Sequence, residues 1–213
     1  MAGGDPPRRT LAGTGAAMIE ARRSKFFAYA CPLPEEPEAL RVWLAEIRAR
    51  HHDARHVVYG WRGPGDQMRG SDDGEPHGTG ARPCQDALAR ADVRLAAVAV
   101  ARIFGGVLLG AGNLGRAYAD AARAAVADAG VRVLGAHLEI RVRVGFGDVA
   151  PAERLLRSAG VVELGWGADA AGVEGTGWVA ADRAAALVRD LAEATSGRAA
   201  VTVGQVPQWR SPG

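Results

Sequence analysis

From Met18 onward, apolar and polar positions along the chain follow the two periods that distinguish strands from helices. Short runs rich in β-branched and aromatic residues predict strands, and apolar positions three and four apart predict helices. The first half is predicted to form a strand over 24–31, a helix from Pro37, a strand over 55–61, a helix over 83–91, a strand over 95–103 and a helix over 114–129. Gly130 is expected to stop the last of these helices.

The pattern restarts after Gly130 with an alternating strand over 138–144. Beyond it, the pattern predicts a helix over 151–158, strands over 161–166 and 172–179, a helix over 182–195 and a strand over 198–203. This β-α-β-β-α-β order is that of the ferredoxin-like arrangement. A second domain of ferredoxin-like fold is therefore expected.

The chain is thus predicted to be an α+β protein of two domains, divided between Gly130 and Ala136. The N-terminal domain spans 18–132, and the ferredoxin-like domain spans 136–206. Residues 1–17 are rich in Gly, Pro and Ala and show no periodicity, which predicts a flexible leader ahead of both domains.

Composition narrows the class of protein. The 213 residues carry a formal net charge of +2, which is too small for a broad electrostatic footprint, so any binding of nucleic acid must be local. Cys31 and Cys84 lie outside any metal-binding spacing and fit a reducing compartment. The longest apolar run, over 95–101, is far too short for a membrane helix, and no signal peptide precedes it. A cytoplasmic location is expected.

The densest group of chemically active side chains lies on a polar loop over 71–80. Its residues, taken with a histidine at the entrance of an earlier strand, form a candidate acidic-loop site: His56, Asp72, Asp73, Glu75, His77 and Thr79. Three interpretations compete: a divalent-cation site, a pair of carboxylates for acid–base chemistry, and a turn in which Asp side chains bond backbone amides. The loop lacks calcium-site spacing, so no metal is expected, and the turn is favoured for the individual residues.

A second group follows the strand over 95–103, where a glycine-rich loop opens a helix. Glycines let backbone N–H groups approach a ligand, and a helix N-terminus adds partial positive charge, so this pattern favours an anion. The candidate anion- or RNA-binding residues are Arg102, Gly105, Gly106, Gly110, Gly112, Asn113 and Arg116. The loop matches neither a Walker motif nor a dinucleotide fingerprint. Close packing of Gly105 and Gly106 is the alternative.

Four segments occur in the order seen in a known family. They are Arg23–Phe27, His52–His56, Ser71–Thr79 and Arg102–Tyr118, and together they resemble the YigZ/IMPACT family. The resemblance implies a ribosomal-protein-S5-domain-2-like β-α-β fold for the N-terminal domain. It also implies that the ferredoxin-like domain is similar to the last domain of elongation factor G. Eukaryotic members of the family are regulators of translation under stress, and the resemblance implies no established reaction.

The sequence departs from the family pattern at both glycine-bearing loops. A Tyr usually stands where Ile103 is, a Gly where Asn113 is, and a bulky apolar residue where Gly115 is. Gly80 and Ala81 invert the usual Ala-Gly order. These changes are expected to leave the fold intact and to weaken an anion contact that needs the Tyr hydroxyl.

The resulting hypothesis is a cytoplasmic, non-enzymatic regulator of translation or of a stress response. Its expected partner is RNA, the ribosome or a translation factor, bound through the glycine-rich loop and the flanking arginines, with no cofactor and no catalytic residue. Because few aromatic side chains are available to stack bases, structured RNA is expected to be recognised by its shape.

Two alternatives remain open. One is an enzyme for a small phosphorylated or carboxylated substrate at the junction of 72–75 and 105–116, and the other is a protein-interaction module. An enzyme requires that the acidic loop and both arginines, Arg102 and Arg116, converge in one pocket.

Overall fold

The computed structural model describes residues 8–33, 37–64 and 67–210, and it shows a mixed α/β protein. The strands are β1 Arg8–Leu11, β2 Gly15–Ala21, β3 Ser24–Pro32, β4 His56–Arg62, β5 Met68–Ser71, β6 Ala96–Ile103, β7 Val131–Val144, β8 Val162–Asp169, β9 Gly172–Ala180, β10 Ala200–Val203 and β11 Gln208–Arg210. The helices are α1 Pro37–Arg50, α2 Ala81–Arg90, α3 Ala111–Ala129, α4 Val149–Ser158 and α5 Ala184–Ala194.

The chain divides into two compact units. The N-terminal unit is Arg9–Arg132, and the C-terminal unit contains the described residues from Val133 onward together with Arg8. The division lies between Gly130 and Ala136. Independent folding of the two units stays a prediction.

The N-terminal end is more ordered than the sequence indicated. The expected flexible leader over 1–17 is wrong for residues 8–17, because β1 and the start of β2 lie there, and its first seven residues are outside the described part. Leu11 is fully buried in the core of the N-terminal unit. A Cβ on Gly15 would lie 2.2 Å from the Ala125 carbonyl oxygen, so the small residue that suggested flexibility instead permits close packing against α3.

One five-stranded sheet, in the order β2-β3-β6-β4-β5, forms the centre of the N-terminal unit. Every neighbouring pair is antiparallel, so β3 and β4, on either side of β6 and joined through α1, run parallel to each other. Helices α2 and α3 cover one face, where Val98 and Val100 point, and α1 covers the other, where Ala97 and Ala99 point. By this alternation, Arg102 at the end of β6 falls on the α2–α3 face.

The C-terminal unit has the strand order β10-β7-β9-β8, with all pairs antiparallel. Strand β11 also pairs with β7, at Gly135–His137. Helices α4 and α5 bury Leu156, Leu187 and Leu191 against this sheet. Within the described ranges, no helix is long and apolar enough to cross a membrane.

Candidate functional site

A cavity of about 390 Å³ opens in the N-terminal unit between the acidic loop, residues 72–80, and the glycine loop, residues 104–110. Its polar lining comes from Arg55, His56, Glu75 and Arg102, and its apolar lining includes Phe104, Leu108 and Leu109. We call this cavity the Glu75 pocket. The volume is within the range of small-ligand sites, roughly 300–1,000 Å³, and a mostly apolar wall with a few convergent polar groups is typical of such sites.

A buried ion pair forms the floor of the pocket. Arg102 Nη1 donates to Glu75 Oε1 over 2.7 Å, and the exposed fractions of the two side chains are 9% and 4%. The Tyr118 hydroxyl on α3 donates to the same Oε1, also over 2.7 Å. The Arg102 Nε is buried and has no hydrogen-bond partner among the described residues. Both hydrogen bonds to Glu75 end on Oε1, so Oε2 accepts no hydrogen bond from another described residue.

The Tyr118 hydroxyl keeps its proton at any physiological pH. Burial, and next the hydrogen bond to Glu75, raise its pKa far above the ordinary value. A retained proton makes Tyr118 a permanent donor to Glu75. The tyrosine thus positions the carboxylate from the side of α3, while Arg102 positions it from β6.

Asp72 holds the acidic loop in shape. Its carboxylate accepts hydrogen bonds from the backbone N–H groups of Gly78, Gly80 and Ala81, each 2.8 Å long, and Ala81 is the first residue of α2. Burial pushes its pKa upward, but these three bonds outweigh burial and leave the pKa below its ordinary value. Asp72 is an ionised cap of α2 and does not reach the pocket.

Asp73 also has a structural role. Its Oδ2 accepts the Val57 N–H over 2.7 Å, and its Oδ1 pairs with Arg48 Nη2 at 2.9 Å. Its carbonyl oxygen lies 2.5 Å from His56 Nδ1, and a carbonyl can only accept, so Nδ1 carries a hydrogen. This bond orients the His56 ring, and His56 lines the pocket.

The remaining candidates of the acidic loop do not converge on the pocket. His77 is fully exposed and lies 3.8 Å from Asp72, while the Thr79 hydroxyl donates to the Pro76 carbonyl over 2.6 Å. In the part of the chain that the structure describes, no group of three or more His, Cys, Asp or Glu residues is placed to hold a metal ion. Of the six expected residues, His56 and Glu75 line the pocket.

The glycines of the glycine loop differ in role. The Gly105 N–H donates to Ser24 Oγ over 3.2 Å, and a Cβ there would lie 2.1 Å from the Arg23 backbone, so this glycine serves close packing. Gly106 and Gly110 have positive φ, at +82° and +74°, and open space around the Cβ position. A Cβ on Gly112 would also meet open space. The backbone at these three positions is accessible.

Arg102 and Arg116 line two different cavities. Arg102 lines the Glu75 pocket, whereas Arg116 lines a neighbouring shallow depression together with Arg22 and Asn113. The Asn113 side chain donates to the Leu109 carbonyl over 3.0 Å and so fastens the loop to α3. The two arginines separate because one extends from the end of β6 and the other from the second turn of α3.

The chain is similar in sequence to known proteins. Residues 22–126 match the model of the Impact N-terminal domain. A Thermus thermophilus protein described as an IMPACT family member in the pol 5'region is 41% identical over 137 residues, covering 64% of this chain and 74% of that protein. The chain belongs to the IMPACT family. The resemblance inferred from the four motifs is thereby confirmed.

Other IMPACT family proteins match over shorter stretches. YigZ of Escherichia coli is 41% identical over 85 residues, covering 38% of this chain and 42% of YigZ. YvyE of Bacillus subtilis is 32% identical over 111 residues, covering 51% of each protein. This chain thus matches about half the length of both relatives. A solved structure of a hypothetical protein has a TM-score of 0.66 at 25% identity, covering 92% of this chain and 96% of that one.

Several residues in the Glu75 pocket or directly behind it could not be predicted from the sequence of this IMPACT family chain. Tyr118 falls in a motif, but its hydrogen bond to a loop 43 residues away gives no local signal. Phe104 and Leu108 are 45% and 81% exposed, although their apolar character suggests burial. The exposure of Phe104 could have been inferred from its position in the sequence, because it lies between the charged end of a strand and a Gly-Gly pair, where a core residue is unusual. Phe104 adds one accessible aromatic ring to the mouth of the pocket.

Proposed function

We propose that this IMPACT family chain is a cytoplasmic regulator of translation or of a stress response that binds RNA or the ribosome through the Glu75 pocket and the glycine loop. The observation that carries the proposal is the open, glycine-bearing N-terminus of α3 beside a pocket with a buried arginine. The family resemblance supplies the link to translation, and the geometry supports the anionic partner.

The N-terminus of α3 offers favourable contacts to an anion. Gly110 provides no side-chain cap, so the first N–H groups of this 19-residue helix have no side-chain acceptor from that position. The helix dipole adds partial positive charge at the same end. Arg55 at the pocket and Arg116 in the depression form no ion pair with any described residue, so both are free to meet phosphates.

The proposal includes the specific folds of the two units. Strands β3 and β4, parallel on either side of β6 and joined by α1, support a ribosomal-protein-S5-domain-2-like β-α-β unit. The order β10-β7-β9-β8 with two helices on one face supports a ferredoxin-like unit similar to the last domain of elongation factor G.

An enzyme acting on a small phosphorylated or carboxylated substrate is the second candidate. It is favoured by the meeting of His56, Glu75 and Arg102 in one pocket. Two findings weigh against it: Asp72 and Asp73 are engaged with the backbone, and Arg116 lies outside the pocket. Since an enzyme requires full convergence, the binding function is the better supported one.

The test is binding of a labelled single-stranded RNA of about 12 nucleotides between roughly 50 mM and 200 mM salt. With about two to four phosphate contacts, log K should fall against log salt with a slope of roughly −1.5 to −3. The double variant Arg55→Ala/Arg116→Ala should bind weakly and lose about 1.5 from the slope. Arg154→Ala/Arg189→Ala, in which two exposed arginines of the C-terminal unit are removed, is the matched control and should bind like the parent. Absence of salt-dependent binding by the parent would disprove the proposal.

A further inference from the structure

We infer that the Glu75 pocket receives one splayed-out base of a single-stranded RNA, and that Arg22, Arg23 and Arg116 hold the phosphates beside it. This inference rests on the proposed function and names the form of the partner. It replaces the expectation that structured RNA is recognised by shape alone. Three observations carry it: an exposed aromatic ring, a polar floor, and a strained arginine turn.

The exposed ring is Phe104, whose side chain is 45% exposed at the edge of the pocket. The Arg102 guanidinium carbon lies 5.5 Å from the centroid of this ring, which fixes the ring beside the ion pair. Leu108, the most exposed apolar residue of the glycine loop, adds a second apolar surface. A planar base can stack on such a ring, and unpaired bases are commonly bound in this way.

The floor of the pocket offers hydrogen bonds to the edge of a base. Glu75 Oε2 is an acceptor beside Arg102, and His56 lines the same pocket. A carboxylate acceptor favours a base with an exocyclic amino group, which donates. Uracil has no amino group and should bind less tightly.

The phosphate contacts come from the turn between β2 and β3. Ala21 pairs with Ser24, so only Arg22 and Arg23 form the turn, and both have positive φ, at 45° and 69°. Such two-residue turns normally use Asn-Gly or Asp-Gly, because larger side chains are strained there. A functional role for the two positive charges would explain why arginines occupy these strained positions.

The arginine turn lies beside the glycine loop. The Arg23 backbone packs where Gly105 lacks a Cβ, and Arg22 Nη1 reaches the Leu108 carbonyl at 3.5 Å. Arg22 shares the shallow depression with Arg116, and Glu20 and Asp120 also line it. Asp120 is paired with Arg123, which reduces its repulsion of a phosphate. Leu109 lines both the depression and the pocket, so a base and its neighbouring phosphate can bind at once.

The experiment compares three single-stranded ligands of equal length at one salt concentration: oligo-adenylate, oligo-uridylate, and an RNA backbone with abasic sites. The parent should bind oligo-adenylate about tenfold more tightly than the abasic strand and more tightly than oligo-uridylate. Phe104→Ala should remove this difference, and Phe104→Tyr should keep it. Val107→Ala is the matched control, because Val107 is exposed on the same loop and does not line the pocket.

The outcomes distinguish failure of the base site from failure of the anion-binding proposal. Equal, salt-dependent binding of adenylate and abasic strands by the parent would overturn the base site while leaving the anion-binding proposal intact. If Phe104→Ala binds oligo-adenylate as tightly as the parent does, the base site is likewise overturned and the anion-binding proposal stays intact. If the parent binds none of the RNAs, both proposals fail; nuclease-resistant co-sedimentation with ribosomes would then identify a protein partner instead.

Discussion

Replacing Arg102 by Met tests the buried pair on which the pocket is built. The change removes Arg102 as the partner of Glu75, whose side chain is 4% exposed, and leaves the Tyr118 hydroxyl as its one side-chain donor among the described residues. Methionine fills much of the same space, so the main effect is electrostatic. Removal of one partner of a buried ion pair costs about 3–5 kcal/mol, because the other charge stays buried without compensation.

The expected magnitude can be converted into a denaturation midpoint. Typical urea m-values of roughly 1–3 kcal/mol/M turn a loss of about 4 kcal/mol into a midpoint lower by roughly 2 M. Circular dichroism during urea titration measures the shift. Amide hydrogen exchange at β6 assigns the loss to the N-terminal unit, because β6 is the central strand of its sheet.

The matched control is Arg123→Met, which breaks the exposed Arg123–Asp120 pair on α3 and should cost less than about 1 kcal/mol. The double variant Glu75→Gln/Arg102→Met should be less destabilised than the sum of its two single variants, since the pair is then removed together. The reasoning is refuted if Arg102→Met lowers the midpoint no more than Arg123→Met does.

Two further substitutions and one chemical probe of the parent protein have defined outcomes. Tyr118→Phe should lose about 1.5–3 kcal/mol in urea denaturation because a hydrogen bond to a carboxylate disappears, whereas Tyr59→Phe should lose less. Asp72→Asn should lower the free energy of unfolding at neutral pH, and the difference from the parent should shrink as pH falls below about 3.9. The reason is that a carboxylate of lowered pKa stabilises the folded state only while it is ionised, so its contribution is lost on protonation. A difference that does not change with pH contradicts this. Burial raises the pKa of Cys31 to about 12 and that of Cys84 further, so neither thiol should react with a thiol reagent at pH 8 until the protein unfolds.

Most helices and strands could be predicted from periodicity because their apolar faces are regular. Strand β6 and helix α3 were placed correctly within a few residues, and the β-α-β-β-α-β order of the second half was predicted as well, but β7 begins at Val131 instead of near residue 138. Strands β1, β2, β5 and β11 were missed, and the first two lie next to or within a Gly- and Ala-rich stretch that resembles a linker. Leu11 of β1 lies in the core of the N-terminal unit and β2 packs against α3, and such tertiary contacts leave no local pattern.

The candidate site could be predicted only in part. The sequence identified Glu75, His56 and Arg102 as candidate site residues, but it did not predict the hydrogen-bond partner of each. Asp72 and Asp73 looked equally suited to chemistry, yet their oxygens serve the backbone of the loop. The distinction depends on which way each carboxylate points, and spacing along a loop does not determine that direction.

An NMR titration with single-stranded oligo-adenylate tests the central claim most directly, because it reports each backbone amide separately. The account predicts that the amide signals of Gly106, Gly110 and Gly112 shift first and saturate together, and that the shifts weaken as salt is raised. Shifts confined to residues 133–210, or none at a concentration where the parent binds RNA, would contradict an anion site at the glycine loop.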